Sequence, residues 1–124
     1  MSRDRGQRSA GAGTAAEPRQ EAGRVCPHFH SAVELIGRRW SGAILYALAR
    51  SGPLRFAELN DCVPGMSDRL LSARLKELES VDLVSREVHS GPGVRVSYAL
   101  TPKGESLKPV IGSIEDWAKR WHRA

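Results

Sequence analysis

No apolar run in this chain approaches the roughly 18 residues that span a bilayer, and its start, Met1-Ser2-Arg3-Asp4-Arg5, lacks the apolar segment of a secretory signal. A cytoplasmic location is therefore expected, with no membrane partner. Only two cysteines are present, Cys26 and Cys62, which in a chain without an export signal do not form a disulfide framework. Enzyme signatures are missing as well: there is no G-x-S-x-G, no H-E-x-x-H and no dinucleotide glycine pattern. Gly37 and Gly42 have P-loop spacing, but Ala43 and Ile44 stand where Lys and Ser or Thr are required. The four histidines form no triad with a nucleophile and an acid that the sequence supports. Cys26, His28 and His30 are zinc-type ligands, yet alternate positions on one short segment do not close a tetrahedral site without a fourth, distant ligand. Neither catalysis, a metal nor a cofactor is expected.

Residues 1 to 24 contain no aliphatic side chain larger than alanine and no aromatic one. They cannot bury enough surface to offset the entropy of ordering, so they read as a disordered tail. Its five arginines against three acids suit either an ordinary solvated terminus or a basic arm that follows DNA. The remaining residues, 25 to 124, are one domain's worth of chain. The whole is 27% charged with a net charge of +5 and a pI near 9.8, which is compatible with a polyanionic partner without proving one.

What is present centres on Arg55 to Val84. Ser67 can cap a helix with its hydroxyl, and Asp68 suits the positive helix N-terminus. On a 3.6-residue wheel Leu71, Leu75 and Leu78 form one stripe, while Arg69, Ala73, Lys76 and Ser80 lie opposite with Ser72 and Glu77 beside them. Ahead of it Phe56 and Leu59 can bury a short helix that Asn60, Pro64 and Gly65 end. Short helix, turn and capped longer helix make a helix-turn-helix pattern, whose second helix lies in the DNA major groove. Any αα-hairpin would show the same pattern, so the neighbouring segments decide.

Before this motif, Phe29, Val33 and Ile36 predict one helix stopped at Gly37, and Trp40, Ile44, Leu45 and Leu48 a second ending near Ser51-Gly52-Pro53. Leu54 to Phe56 is a candidate short strand. After it, Leu83 to His89 and the alternation Val94, Val96, Tyr98, Leu100 predict a hairpin with one apolar face around the turn Ser90-Gly91-Pro92-Gly93. A hairpin there makes a winged helix, the wing offering Arg86, His89 and Arg95. Thr101 then caps and Pro102 takes the first helical position. The stripe Leu107, Val110, Ile111, Ile114, Trp117, Ala118, Trp121 predicts one helix of about four turns. So apolar a stripe either packs back on its own domain or is covered by a second subunit, and two reading heads on a palindrome favour the dimer.

Cys26-Pro27, Gly37-Arg38-Arg39-Trp40, Ile44-Leu45 and Leu48, Arg55-Phe56 with Glu58-Leu59, Leu71 with Arg74-Leu75, Leu78-Glu79, Leu83-Val84, Tyr98 with Leu100-Thr101, Gly104 and Trp117 resemble the HxlR-type winged-helix regulators over about residues 26 to 121. The resemblance implies an α+β, mostly helical winged helix-turn-helix fold with a two- to three-stranded wing. It further implies a MarR-like homodimeric bacterial transcription factor, dimerised by N- and C-terminal helices. Phe29 on the first helix and Leu107, Val110, Ile111, Ile114, Trp117 and Trp121 on the last would form that interface. Asp82 departs from the family's usual glycine but can adopt the same left-handed turn.

The expected DNA contacts are Ser67, Arg69, Ser72, Ala73 and Lys76 on the outward helix face with Arg74 at its flank, and Arg86, His89 and Arg95 on the wing. Arg39 and Arg55, which match basic positions of the family, would position the protein on phosphates and not read bases. Each of these residues alone also reads as a solvated surface group. Cys26, near a helix start with His28 two residues on, is either a small buried hydrophobe or a reactive thiol. The resemblance implies a sensor of oxidants or electrophiles, with a small-molecule or oxidant effector. Cys62 beside Val63 and Leu59 looks like core or turn. The competing reading is a protein-interaction module that uses the apolar last helix and has no specific DNA site.

Overall fold

A computed structural model describes residues 23 to 122, so the expected tail over residues 1 to 24 lies, except for its last two residues, outside the described residues. The chain divides into two units between Glu34 and Leu35. That boundary falls within α1 (Pro27–Gly37), which begins with proline where a missing N–H costs nothing; the His30 amide donates to the Cys26 carbonyl at 3.0 Å. Phe29 and Val33 on this helix are exposed.

The second unit runs α2 (Ser41–Ser51), β1 (Leu54–Arg55), α3 (Phe56–Cys62), α4 (Asp68–Ser80), β2 (Val84–His89), β3 (Arg95–Leu100), α5 (Pro102–Glu105) and α6 (Lys108–Trp121). Ile44, Leu45 and Leu48 turn one face of α2 into the core, where they meet Leu59, Val63, Met66, Leu71, Leu75, Leu78, Leu83 and Val84. Gly52 stops α2 at φ 76°, and its amide donates to the Leu48 carbonyl at 3.0 Å.

The three strands are antiparallel in the order β1-β3-β2, with Leu54 opposite Tyr98 and Val84 opposite Leu100. The expected apolar face is realised only in part. Val94 lies outside the strand and is exposed, as is Val88, whereas Ser97, on the opposite face, is 7% exposed. The reason is position. Ser97 sits in the central strand between Arg55 and Glu87, while the far end of the hairpin extends past the core.

The end of α4 is held by a node the sequence only partly announces. Asp82 takes the left-handed conformation at φ 61°, as expected. The Asp82 amide donates to the Glu79 carbonyl at 3.0 Å and the Leu83 amide to the Leu78 carbonyl at 2.9 Å, the paired bonds of a Schellman stop. The Thr101 hydroxyl donates to the Asp82 carbonyl at 2.6 Å and accepts from the Gly104 amide at 3.0 Å, so one side chain ends α4 and caps α5. Gly104 passes so close to the Leu83 carbonyl that a Cβ would overlap its oxygen.

The single C-terminal helix expected from Thr101 onward is two helices. Pro109 explains the break: inside a continuous helix its ring would clash with the carbonyl four residues back, and it has no N–H to donate. The chain instead turns at Ser106 and Leu107 and restarts with Pro109 in the first turn of α6, where that loss is harmless.

Two substitutions at this node should move stability in opposite directions in urea unfolding. Gly104→Ala is expected to cost about 3 kcal/mol by overlap with backbone. Asp82→Gly is expected to add about 1 kcal/mol by removing the left-handed penalty and a carboxylate from the negative end of α4.

Candidate nucleic-acid interface

The helix that offers a free polar face is α4. The Ser67 hydroxyl accepts from the Leu70 amide at 3.1 Å, a cap worth about 1 kcal/mol, and Asp68 occupies the first turn. Leu71, Leu75 and Leu78 are at most 1% exposed, so burial sets the rotation of the helix. That rotation leaves Ser67, Arg69, Ala73 and Lys76 exposed and Ser72 half-buried. The Asn60 amide group donates to the Asp68 carboxylate, tying α3 to the first turn of α4. Between them Gly65 takes φ 94°, and the Trp40 ring lies against it.

Of the flanking arginines, Arg39 and Arg55 are exposed near helix starts. Arg39 stacks over the Trp40 ring at 5.0 Å, and the Arg55 amide donates to Glu58 Oε1 at 2.8 Å, which starts α3. Arg74, expected at the flank of the contact face, is mostly covered. Its side chain is 14% exposed, its Nε donates to the Arg39 carbonyl at 3.0 Å, and it pairs with Glu77 at 3.4 Å, so its guanidinium is engaged inside the fold. The Arg-x-x-Glu spacing of Arg74 and Glu77 was the available signal, but not the partner 35 residues away.

The wing residues do not share one surface. The register puts Arg55, Ser97 and Glu87 in one row and Arg95 and His89 in the next, all on one sheet face; Arg86 pairs with Tyr98 on the other. His89 Nε2 and Ser97 Oγ are 2.9 Å apart, and Glu87 is 4.0 Å from the same nitrogen. Arg55, His89 and Arg95 therefore share a face, and Arg86 stands apart from them.

The apolar stripe of α6 also divides. Val110, Ile114, Trp117 and Trp121 are exposed, the last two at 60% and 71%. Leu107, just before α6, and Ile111, both expected at a subunit interface, are half-buried and pack against the protein's own core, on the side of α6 toward α2. That face also carries Glu115, which the sequence reading missed. Glu115 accepts from the Tyr46 hydroxyl at 2.8 Å, which in turn accepts from Arg50 at 2.9 Å; Lys119 lies 3.5 Å away. The Tyr46 hydrogen bond foremost, with Lys119 and Arg50 behind it, outweighs partial desolvation and holds the Glu115 carboxyl below its ordinary value.

Cys26 is exposed one residue before α1, and Cys62, expected in core or turn, is exposed as the last residue of α3; both are free thiols. No helix among the described residues is long and apolar enough to cross a membrane.

A capped helix with a buried leucine stripe, preceded by a short helix and a tight turn and followed by a β-hairpin, defines a winged helix-turn-helix protein. A profile of the HxlR-like helix-turn-helix family matches residues 35–124. The chain belongs to that family. It is 42% identical over 97 residues to the uncharacterized HTH-type transcriptional regulator YvaP of Bacillus subtilis, across 78% of this chain and 89% of the relative. It is 40% identical over 97 residues to the HTH-type transcriptional regulator YodB of the same organism, across 78% and 86%. The reduced form of YodB superposes with a TM-score of 0.71 over 79% of this chain and 95% of that one. YodB has also been solved after diamide treatment and with bound quinone. The oxidized form of the redox regulator HypR superposes with a TM-score of 0.72 at 30% identity, over 80% of this chain and all of that one.

The Glu115 cluster has a pH signature. With its pKa depressed on folding, the unfolded chain binds the proton first. The stabilisation is complete above the ordinary carboxylate range and is lost as pH falls through the folded value. Urea unfolding between neutral and acid pH should show Glu115→Gln less stable than wild type at neutral pH, with the difference closing in acid.

Proposed function

We propose that this chain is a sequence-specific, DNA-binding transcriptional regulator that acts as a homodimer in the bacterial cytoplasm. The observation that carries the reading is the exposed face of α4: Ser67, Arg69, Ala73 and Lys76 are exposed to solvent, with Ser72 beside them, because the opposite stripe is buried. In this reading Arg69 and Lys76 meet base edges or phosphates in the major groove. Arg39 and Arg55 take flanking phosphates, and Arg95 and His89 on the wing touch the adjoining backbone. Arg86, on the other sheet face, contributes charge from a separate direction. Arg74 acts from within the fold.

The exposed line Val110, Ile114, Trp117 and Trp121 is the proposed dimer seam, and Phe29, exposed on α1, is proposed in its own right as an interface residue. A dimer with two reading helices calls for a palindromic operator with half-sites about one helical turn apart. No cofactor and no catalytic step belong to this reading.

Cys26 is the proposed thiol sensor. Support comes from its exposure beside a helix start and from relatives solved in reduced, diamide-treated and oxidized forms; the family profile itself begins at residue 35. An oxidant or electrophile there regulates only if it favours one dimer geometry over another.

Fluorescence anisotropy on duplex DNA from upstream of the chain's own gene, against scrambled DNA, tests the function. Preferential binding that weakens as salt rises is expected, and Arg69→Ala should cost about 1–3 kcal/mol of discrimination. Equal binding to both duplexes at every salt concentration, repeated on duplexes enriched from a random library, would refute it. Diamide should change the affinity of wild type and of Cys62→Ser but not of Cys26→Ser; an unchanged response in Cys26→Ser would remove the sensor assignment.

A further inference from the structure

The turn between α1 and α2 is tied to α4 by side chains that the DNA-contact assignments leave without a role. Arg74 reaches out of α4 to donate its Nε to the Arg39 carbonyl at 3.0 Å. Glu77, one turn further along, lies 3.2 Å from Arg38 Nε and 3.4 Å from Arg74. One carboxylate thus sits between two guanidiniums, and both sides of the Arg38-Arg39 step are fastened to the same helix.

The residue that follows carries strain. Trp40 holds φ 77°, a left-handed conformation that costs an L-residue roughly 1–2 kcal/mol and persists only where the surroundings over-determine it. Those surroundings are visible: the Ser41 amide closes the turn on the Arg38 carbonyl at 3.0 Å, the Trp40 ring rests against Gly65, and Arg39 stacks on that ring. Arg39 is therefore displayed from a turn anchored to α4 at one end and to the α3–α4 turn at the other.

We propose that Arg74 and Glu77 are positioning residues that lock the Arg38–Trp40 turn to α4, so that Arg39 and the outward face of α4 meet DNA as one rigid body. The proposal rests on the regulator reading above. It assigns selectivity to a pair that need not touch DNA: a phosphate contact held at a fixed offset sets the register in which base contacts are made. Lysine cannot replace Arg74, because a single ammonium lacks the planar fork that serves the Arg39 carbonyl and Glu77 together.

Glu77→Gln separates this from simple electrostatics, and its partly exposed side chain makes it a mild change. Removing the carboxylate leaves two arginines unpaired and adds net positive charge. Charge alone would tighten binding to every duplex and leave the ratio of affinities for a library-enriched and a scrambled duplex unchanged. The clamp requires that ratio to fall about tenfold while binding to scrambled DNA holds or tightens. Arg39→Ala and Arg74→Lys should each lower it, and the double variant should be no worse than the poorer single one. An unchanged ratio in Glu77→Gln, or additive losses in the double variant, overturns the clamp. Hydrogen exchange without DNA supplies a second readout: the Ser41 amide should exchange about tenfold faster in Glu77→Gln while α6 amides do not change, and equal Ser41 exchange also overturns it. A wild-type protein that enriches no duplex refutes the regulator reading, and the exchange comparison then decides the clamp by itself.

Discussion

Burial of Leu71, Leu75 and Leu78 is the constraint on which the rest of this structure depends. The three side chains lie one to two turns apart on α4 and fill the space between α2, α3 and the sheet. Removing one such leucine typically costs about 2–5 kcal/mol, a large share of a small domain's stability. The rotation of α4 about its axis is therefore not free. With the stripe inward, Arg69, Ala73 and Lys76 point outward, and the polar face is a consequence of packing.

Once the rotation of α4 is set, its ends and flank are fixed by close backbone approaches. At the C-terminus, the Thr101 hydroxyl joins the Asp82 carbonyl to the start of α5, and Gly104 lets two backbones pass where no side chain fits. At the N-terminus, Ser67 caps and Asn60 holds Asp68. On the flank, Arg74 and Glu77 hold the turn that presents Arg39. Some of these contacts are local, as at Ser67 and Asn60, and others join segments 19 and 35 residues apart; together they define the geometry in which the basic groups are shown to solvent.

The C-terminal helix is built on a division of labour along one side. Leu107 and Ile111 face the core, Glu115 binds Tyr46 on α2, and Val110, Ile114, Trp117 and Trp121 stay exposed. The helix is thus secured to α2 by both apolar packing and a charged hydrogen-bonded cluster. In the proposed dimer, this is how movement at the subunit seam would reach the reading helices.

Local signals in the sequence were sufficient for the elements themselves: the leucine period, the Ser67 and Thr101 caps and the Gly52 stop each act within a few residues, where spacing dictates conformation, while the left-handed turn at Asp82 was implied by the family resemblance. The outward set on α4 was legible for the same reason, since a helix wheel needs only a buried stripe to define its opposite face. Pro109 was a local signal too, and it divides what the apolar stripe alone presents as one helix. Tertiary structure decided what depends on contacts across long separations. Leu107 and Ile111 face inward because α2 lies beside α6, and Ser97 is covered because it falls in the middle strand. Arg74 turns into the fold because the Arg39 carbonyl is there to receive it, 35 residues away. A one-dimensional pattern records the periodicity of a face, but which neighbour covers that face is set only when distant segments pack together.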